Sequence, residues 1–227
     1  MFRLAARMKV LTLVGMVAWL SLAWAGYFSA SARTSPPNSR HALSPFEQQV
    51  LAQMNRVRAN PPAYAAFLVS FRKYYQGRLL KIPGQIALQT VEGVSALNGA
   101  IRALRAARAA PPLLASPGMS LASRSHVADI GPRGLTSHIG SDGGDTFKRL
   151  DRFGRWQQVA GENIQYGARS AEEAVLQLLV DDGVPSRGHR TNILNPRFRV
   201  TGIACGPHAR YRTACVITFA AGYLELR

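Results

Sequence analysis

The sequence predicts an α+β fold. Helical periodicity dominates the first half, runs rich in β-branched and aromatic residues fill the last third, and the two patterns do not alternate. Alternation would mark a parallel sheet with crossover helices. Segregation favours helices layered against an antiparallel sheet.

The first residues are set apart from that fold. Arg3, Arg7 and Lys9 precede an uncharged apolar run from Val10 to Leu22, and Ala23-Trp24-Ala25 supplies an A-x-A cleavage site. This is the layout of a signal peptide, expected over residues 1–25, with a secreted or periplasmic chain from about Gly26. The apolar run is short for a membrane span, so no stable transmembrane anchor is expected. Residues 26–43, with serines and Pro36-Pro37, read as a solvated linker. The remaining 44–227 suit one domain with a sizeable core.

Ser44-Pro45-Phe46-Glu47 opens the first helix with a capping box, and Phe46, Val50, Met54 and Val57 give it one apolar stripe. Asn60-Pro61-Pro62 ends it, and Tyr64 to Phe71 starts another. Phe71 to Glu92 shows no clear period and reads as an insertion. Val94, Leu97, Ile101 and Leu104 repeat at helical spacing, and Pro111-Pro112 stops that run. Pro117 to Ile130 is a further helix carrying His126. Asp142-Gly143-Gly144 is a turn, and Asp145 caps a short helix ended by Gly154. Val159 to Tyr166 fits a strand or an extended loop. Ser170 to Glu173 is a second capping box, followed by Val175, Leu178 and Leu179 on one face. Arg197 to Cys205 and Tyr211 to Ala220 read as an antiparallel strand pair.

Cys205 and Cys215 flank Gly206-Pro207-His208, a turn between those two runs. In an oxidising compartment a cross-hairpin disulfide is the first expectation. No C-x-x-C spacing suggests a metal role.

The formal charge is +16, or +13 without Arg3, Arg7 and Lys9. The arginines are dispersed, which favours a solvated surface over a binding block. Attraction to anionic lipid or cell-wall polymer is the competing reading. A nucleic-acid role lacks any motif and conflicts with export.

Residues able to do chemistry cluster between Ser137 and Pro196: His138, Glu162, Asp181 or Asp182, and His189. They fall in turns and at element ends, where side chains can share a cleft held by a rigid scaffold. Two imidazoles and carboxylates suit a divalent cation or acid–base work. Glu162, between Gly161 and Asn163, is costly to bury unpartnered, and could orient a histidine or accept a proton. Asp181 and Asp182 end a helix, where acids are unfavourable without compensation from a metal, Arg187, Arg190 or solvent. His41 is assigned to the linker, His126 to helix packing and His208 to an exposed hairpin turn. There is no G-x-S-x-G and no Gly-rich phosphate loop after a strand.

Taken together, the motifs resemble the CAP superfamily (cysteine-rich secretory proteins, antigen 5 and pathogenesis-related 1), also called SCP-like, in its bacterial secreted branch. The carrying residues are E-x-x-V-L-x-x-M-N-x-x-R at 47–58, S-H-I-G-S-D-G at 137–143, G-E-N-I at 161–164, G-H-R-T-N-I-L-N-P at 188–196 and the final strands. The resemblance implies a three-layer α-β-α sandwich with a central antiparallel sheet and a large cleft. It also implies a tetrad in that cleft: His138, Glu162, His189 and an acid at Asp181, with Asp182 as the alternative. Glutamate is usual at that last place, and aspartate reaches less far. In the family the two histidines can hold zinc or another divalent cation. Residues 71–114 have no counterpart in the simplest members and are expected to be a helical elaboration.

The leading expectation is a secreted module binding a divalent cation, zinc first, through His138 and His189, with lipid, sterol or an envelope component as partner. One alternative is a metal-assisted hydrolase using Glu162 as base. The other is a binder of anionic lipid or cell-wall polymer.

Overall fold

The computed structural model describes residues 42–84 and 86–226. The expected signal peptide, most of the linker and His41 lie outside the described residues. No helix among the described residues is long and apolar enough to cross a membrane.

The elements in chain order are α1 (Pro45–Ala59), α2 (Pro61–Val69), a 3-10 turn (Ser70–Tyr74), β1 (Tyr75–Gln76), β2 (Leu79–Leu80), β3 (Leu88–Gln89) and α3 (Val94–Ala106). There follow β4 (Leu114–Ala115), α4 (Pro117–Arg133), α5 (Thr146–Asp151), β5 (Gly154–Tyr166), α6 (Ala171–Val180), α7 (Gly188–Leu194), β6 (Val200–His208) and β7 (Arg212–Glu225).

The main sheet has the order β4-β6-β7-β5. Its long strands pair antiparallel, and the two-residue β4 runs parallel to β6 at one edge. Side chains alternate across it. Ile203, Ile217 and Phe219 pack with α1, α2, α3 and α6 on one face, whereas Val216 and Ala204 meet Val127 and Ile130 of α4 on the other. Leu150 of α5 joins Met119, Ala122 and Ala220 on that second face. Helices on both faces of the sheet give the three layers. Gly202 lets α4 lie close, since a Cβ there would sit 2.1 Å from the Met119 carbonyl carbon.

Several local expectations change. The described residues of 75–89 are not helical: β1, β2 and β3 pair there as a three-stranded antiparallel sheet, so among the described residues of 71–114 the α-helix foreseen is supplied by α3 alone, beside the 3-10 turn. Strands of two residues carry no readable alternation. Helix α3 stops at Ala106, ahead of the prolines, and Gly154 begins β5 rather than ending α5. In the second capping box Ser170 caps Glu173, but the Glu173 carboxylate accepts from the Arg169 N–H instead of from Ser170. The final hairpin turns at 209–211, because the register carries β6 through His208 opposite Arg212. That places Cys205 opposite Cys215, and the two form a disulfide. It also buries His208 at 2% exposure, where Nε2 donates to the Leu135 carbonyl at 3.0 Å and Nδ1 accepts two backbone N–H groups.

Helix α1 is tied down by its polar residues. Glu47 completes the capping box with one oxygen and accepts the Cys205 N–H with the other, at 2.9 Å. Asn55 bonds both the N–H and the carbonyl of Leu113. Arg58 is fully buried and donates to the carbonyls of Pro111, Ile193, Asn195 and Phe198. Burial, then the nearby Arg199, pulls its guanidinium down to about 10, and it stays charged at neutral pH. Arg58 thus fastens α1 to the turn after α7.

Replacing Arg58 with Met should cost about 3–5 kcal/mol, because buried carbonyls lose their donors. Urea unfolding followed by circular dichroism measures this. A loss under 1 kcal/mol would contradict the fastening role.

Candidate functional site: two carboxylate–histidine pairs

Strand β5 is an edge of the main sheet. Glu162 leaves it towards α5, and Asn163 leaves it towards α7. The site is built around this edge.

On the first side, Glu162 Oε1 lies 2.7 Å from Nδ1 of His138. Arg149 of α5 grips the same carboxylate at 3.0 and 2.8 Å. Its other nitrogen donates to the carbonyls of His138 and Gly144, so one guanidinium sets both the carboxylate and the loop that carries His138. The Glu162 and Arg149 side chains are 2% and 4% exposed, and the His138 side chain is 54% exposed. Burial alone would raise the Glu162 carboxyl. The His138 hydrogen bond and the Arg149 charge outweigh it and hold the group below its ordinary value. His126 packs beneath the same loop, with Nε2 at 2.8 Å from the Ser137 carbonyl and the ring 1% exposed. Burial, then the neighbouring Arg149, lowers its pKa. A neutral His126 suits a ring wedged beside a guanidinium.

On the second side, Asp181 ends α6 in the left-handed region at φ 58°, a conformation aspartate tolerates better than most residues. Its buried carboxylate accepts from Nδ1 of His189 at 2.7 Å and from the Arg190 N–H at 3.2 Å. These neighbours supply the compensation its place at a helix end demands. Asp182 does a different job: it accepts the N–H groups of Val91 and Glu92. The His189 carbonyl accepts from Asn163, and Asn192 reaches both Asn163 and the Glu162 carbonyl. These contacts seat α7 beside Glu162 on β5. Gly161 leaves room for them, since a Cβ there would lie 3.3 Å from Asn192.

The four residues singled out in the sequence therefore come together as two pairs. Sequence reasoning missed Arg149, which sat in an ordinary Lys148-Arg149 step on a short helix. It also missed the Glu92–Arg187 pair, which spans 95 residues. Glu92 is held down to about 2 by the Arg187 hydrogen bond, then by the Gly183 N–H, and it locks the segment after β3 onto the loop before α7.

In each pair a carboxylate oxygen faces Nδ1, which makes Nδ1 the protonated nitrogen and leaves Nε2 as the lone-pair atom of the neutral ring. That arrangement suits an imidazole serving as a metal ligand. Among the described residues no three His, Cys, Asp or Glu side chains converge as a ready metal set. Each pair thus presents one imidazole Nε2 as a lone-pair donor.

A three-layer α-β-α protein with two carboxylate–histidine pairs beside an edge strand is the class that fold and site define. The family model described as the cysteine-rich secretory protein family, CAP, matches residues 99–220, and the chain belongs to that family. The match begins inside α3, so α1 and β1-β2-β3 precede it. The chain is similar to the uncharacterized protein YkwD of Bacillus subtilis (strain 168), at 33% identity over 92 residues, covering 40% of this chain and 34% of that protein. Among solved structures it is similar to an extracellular protein containing a SCP domain from Bacillus anthracis str. Ames, at 26% identity and TM-score 0.40, over 49% of this chain and 34% of that one. An outer surface protein from Borrelia burgdorferi matches at 14% identity and TM-score 0.42, over 49% of this chain and 78% of that one. The chain spans about a third of the length of the Bacillus relatives it matches.

Replacing Glu162 with Gln should cost about 3 kcal/mol at pH 7, because Arg149 is left buried without its counter-charge. Folding holds Glu162 below its unfolded value of about 4.3, so its contribution is complete above that pH and is lost as pH falls through the folded value. Urea unfolding at pH 7 and pH 3 should therefore show the gap between parent and variant narrowing in acid. A gap independent of pH would contradict a charged Glu162.

Proposed function

We propose that this CAP protein is exported and that it binds a divalent cation, zinc first, through Nε2 of His138 and Nε2 of His189. The observation that carries the proposal is the matched pair of 2.7 Å contacts from carboxylate oxygen to Nδ1. Each fixes a tautomer and an orientation, and each raises the basicity of the opposite nitrogen. Export is supported by the signal-peptide pattern at residues 1–25 and by the Cys205–Cys215 disulfide.

In this reading Glu162 and Asp181 are positioning residues. Both Glu162 oxygens are engaged by Arg149, one of them also by His138, and the carboxylate is lowered in pKa. Such a group is a poor proton acceptor and has no open path to a substrate, which weighs against the hydrolase reading with Glu162 as base. A bound cation would supply a Lewis acid and an ordered water shell. The chain's own residues hold the imidazoles still, so the function this geometry supports best is binding.

Calorimetric zinc titration of the full chain tests this beside a His138→Ala/His189→Ala double variant. Micromolar binding in the parent and at least a tenfold loss in the variant is the expected outcome. No binding, or binding unchanged in the folded variant, would overturn the metal reading.

A further inference from the structure

Among the described residues three arginines are buried: Arg58, Arg149 and Arg190. Two of them are well engaged. Arg58 donates to four carbonyls, and Arg149 holds Glu162, two carbonyls and the Thr146 hydroxyl. Arg190, at 5% exposure, is different. A guanidinium carries five N–H donors. Its one acceptor among the described residues is the Val180 carbonyl, met by Nη2 at a long 3.4 Å. Nε has no partner and is closed off from solvent. Nη1 also has no partner among the described residues, but it is not closed off and can still be reached from outside.

The nearby acids do not make up the difference. Asp181 uses one oxygen on His189 Nδ1 and the other on the Arg190 backbone N–H, and Glu92 is paired with Arg187. Burial lowers the Arg190 pKa, with the Asp181 charge opposing. A guanidinium nevertheless stays charged in a protein, and a buried charge without a counter-charge is costly. Nη1 faces an opening. A Cβ placed on Gly99 of α3 would lie 4.0 Å from Arg190 Nη1 and 4.0 Å from Arg102 Nη2, and no other side chain comes so near. Alanine would therefore fit here in ordinary contact, although glycine inside a helix costs roughly 0.5–1 kcal/mol relative to it. What glycine leaves is space between two guanidinium groups. Arg102 is exposed and has no acidic partner among the described residues. Arg72 comes up one turn earlier on α3, where its Nε donates to Asn98 Oδ1 at 2.9 Å.

We infer that Arg190 Nη1 and Arg102 Nη2 form an anion site over Gly99 that takes a phosphate group. Two guanidinium groups set several N–H donors against several acceptor oxygens, the match that phosphate provides. A phosphate there would give Arg190 both the acceptor and the counter-charge that its burial demands. A free phosphate ion and a lipid phosphodiester headgroup present the same oxygens, and the two sources are separated by experiment. The site is independent of the cation reading, because its donors belong to α3 and to the Arg190 guanidinium and it calls on neither imidazole.

Two probes test this on the full chain in EDTA at low salt. Inorganic phosphate is titrated by calorimetry and by nitrogen NMR of the arginine side chains. Phosphatidylcholine vesicles with and without phosphatidylglycerol are tested by co-sedimentation. Saturable binding of inorganic phosphate supports the site with the free ion as its source. Binding that needs phosphatidylglycerol and ignores inorganic phosphate supports it with a headgroup as its source. With whichever probe binds, Arg102→Gln should weaken binding at least fivefold, and the Arg190 guanidinium signals should shift as the probe is added. Gly99→Ala, which a helix tolerates well, should weaken it too by closing the space. Arg155→Gln removes the same charge from an exposed position of β5 and should change binding less than twofold. Binding to neither probe would overturn the inference. So would equal weakening by Arg102→Gln and Arg155→Gln, which would mark attraction to net charge alone, or binding that leaves the Arg190 signals unmoved.

Discussion

One buried charge organises the first carboxylate–histidine pair. Glu162 is almost completely removed from water and still ionised, and everything around it answers that fact. A lone carboxylate there would protonate or unfold the site. Arg149 supplies the counter-charge, and its remaining donors hold the carbonyls of His138 and Gly144. Neutralising Glu162 and placing His138 are therefore one act. His126 adds a bond to the Ser137 carbonyl from below. The loop looks mobile in sequence, rich in glycine and serine, but its backbone is pinned from the interior.

The second pair uses a different device. Asp181 depends on a left-handed turn at the end of α6, which aims its carboxylate back at α7. Arg187, also left-handed, donates to the Asp181 carbonyl and pairs with Glu92. The loop at 181–187 is thus clamped to the segment that follows the small sheet. Farther back, Arg58 holds the turn after α7 to α1. The histidines are the exposed tips of a buried polar frame that reaches from one helical layer through the edge strand to the other. Such a frame fits a site that must present two imidazoles in fixed orientation and little else.

Much of this was legible in the sequence. The helices with caps and periodic apolar faces are where the pattern places them, because local propensity and burial agree there. The two histidines and two acids stood out through their glycine-rich, punctuated settings. What stayed hidden was long-range. Arg149 and Glu92 look like surface charges until their partners, 13 and 95 residues away, are in place. Asn55 and Arg58 carried the family resemblance, yet their work of satisfying distant carbonyls has no local signature. His208 was misplaced by assuming the turn at its glycine and proline, whereas the strand register runs through them. The small sheet at 75–89 has strands too short for any period to show.

The central claim is that Glu162 and Asp181 fix both histidines with Nδ1 protonated and Nε2 bare. The measurement that tests it most directly is nitrogen NMR of the imidazole rings of labelled protein at pH 8, free of metal. The account predicts that His138 and His189 both show a protonated Nδ1 and an unprotonated Nε2, the reverse of the tautomer at His208, where Nδ1 accepts two backbone N–H groups. A protonated Nε2 at His138 or His189, or rapid exchange between both forms, would contradict it.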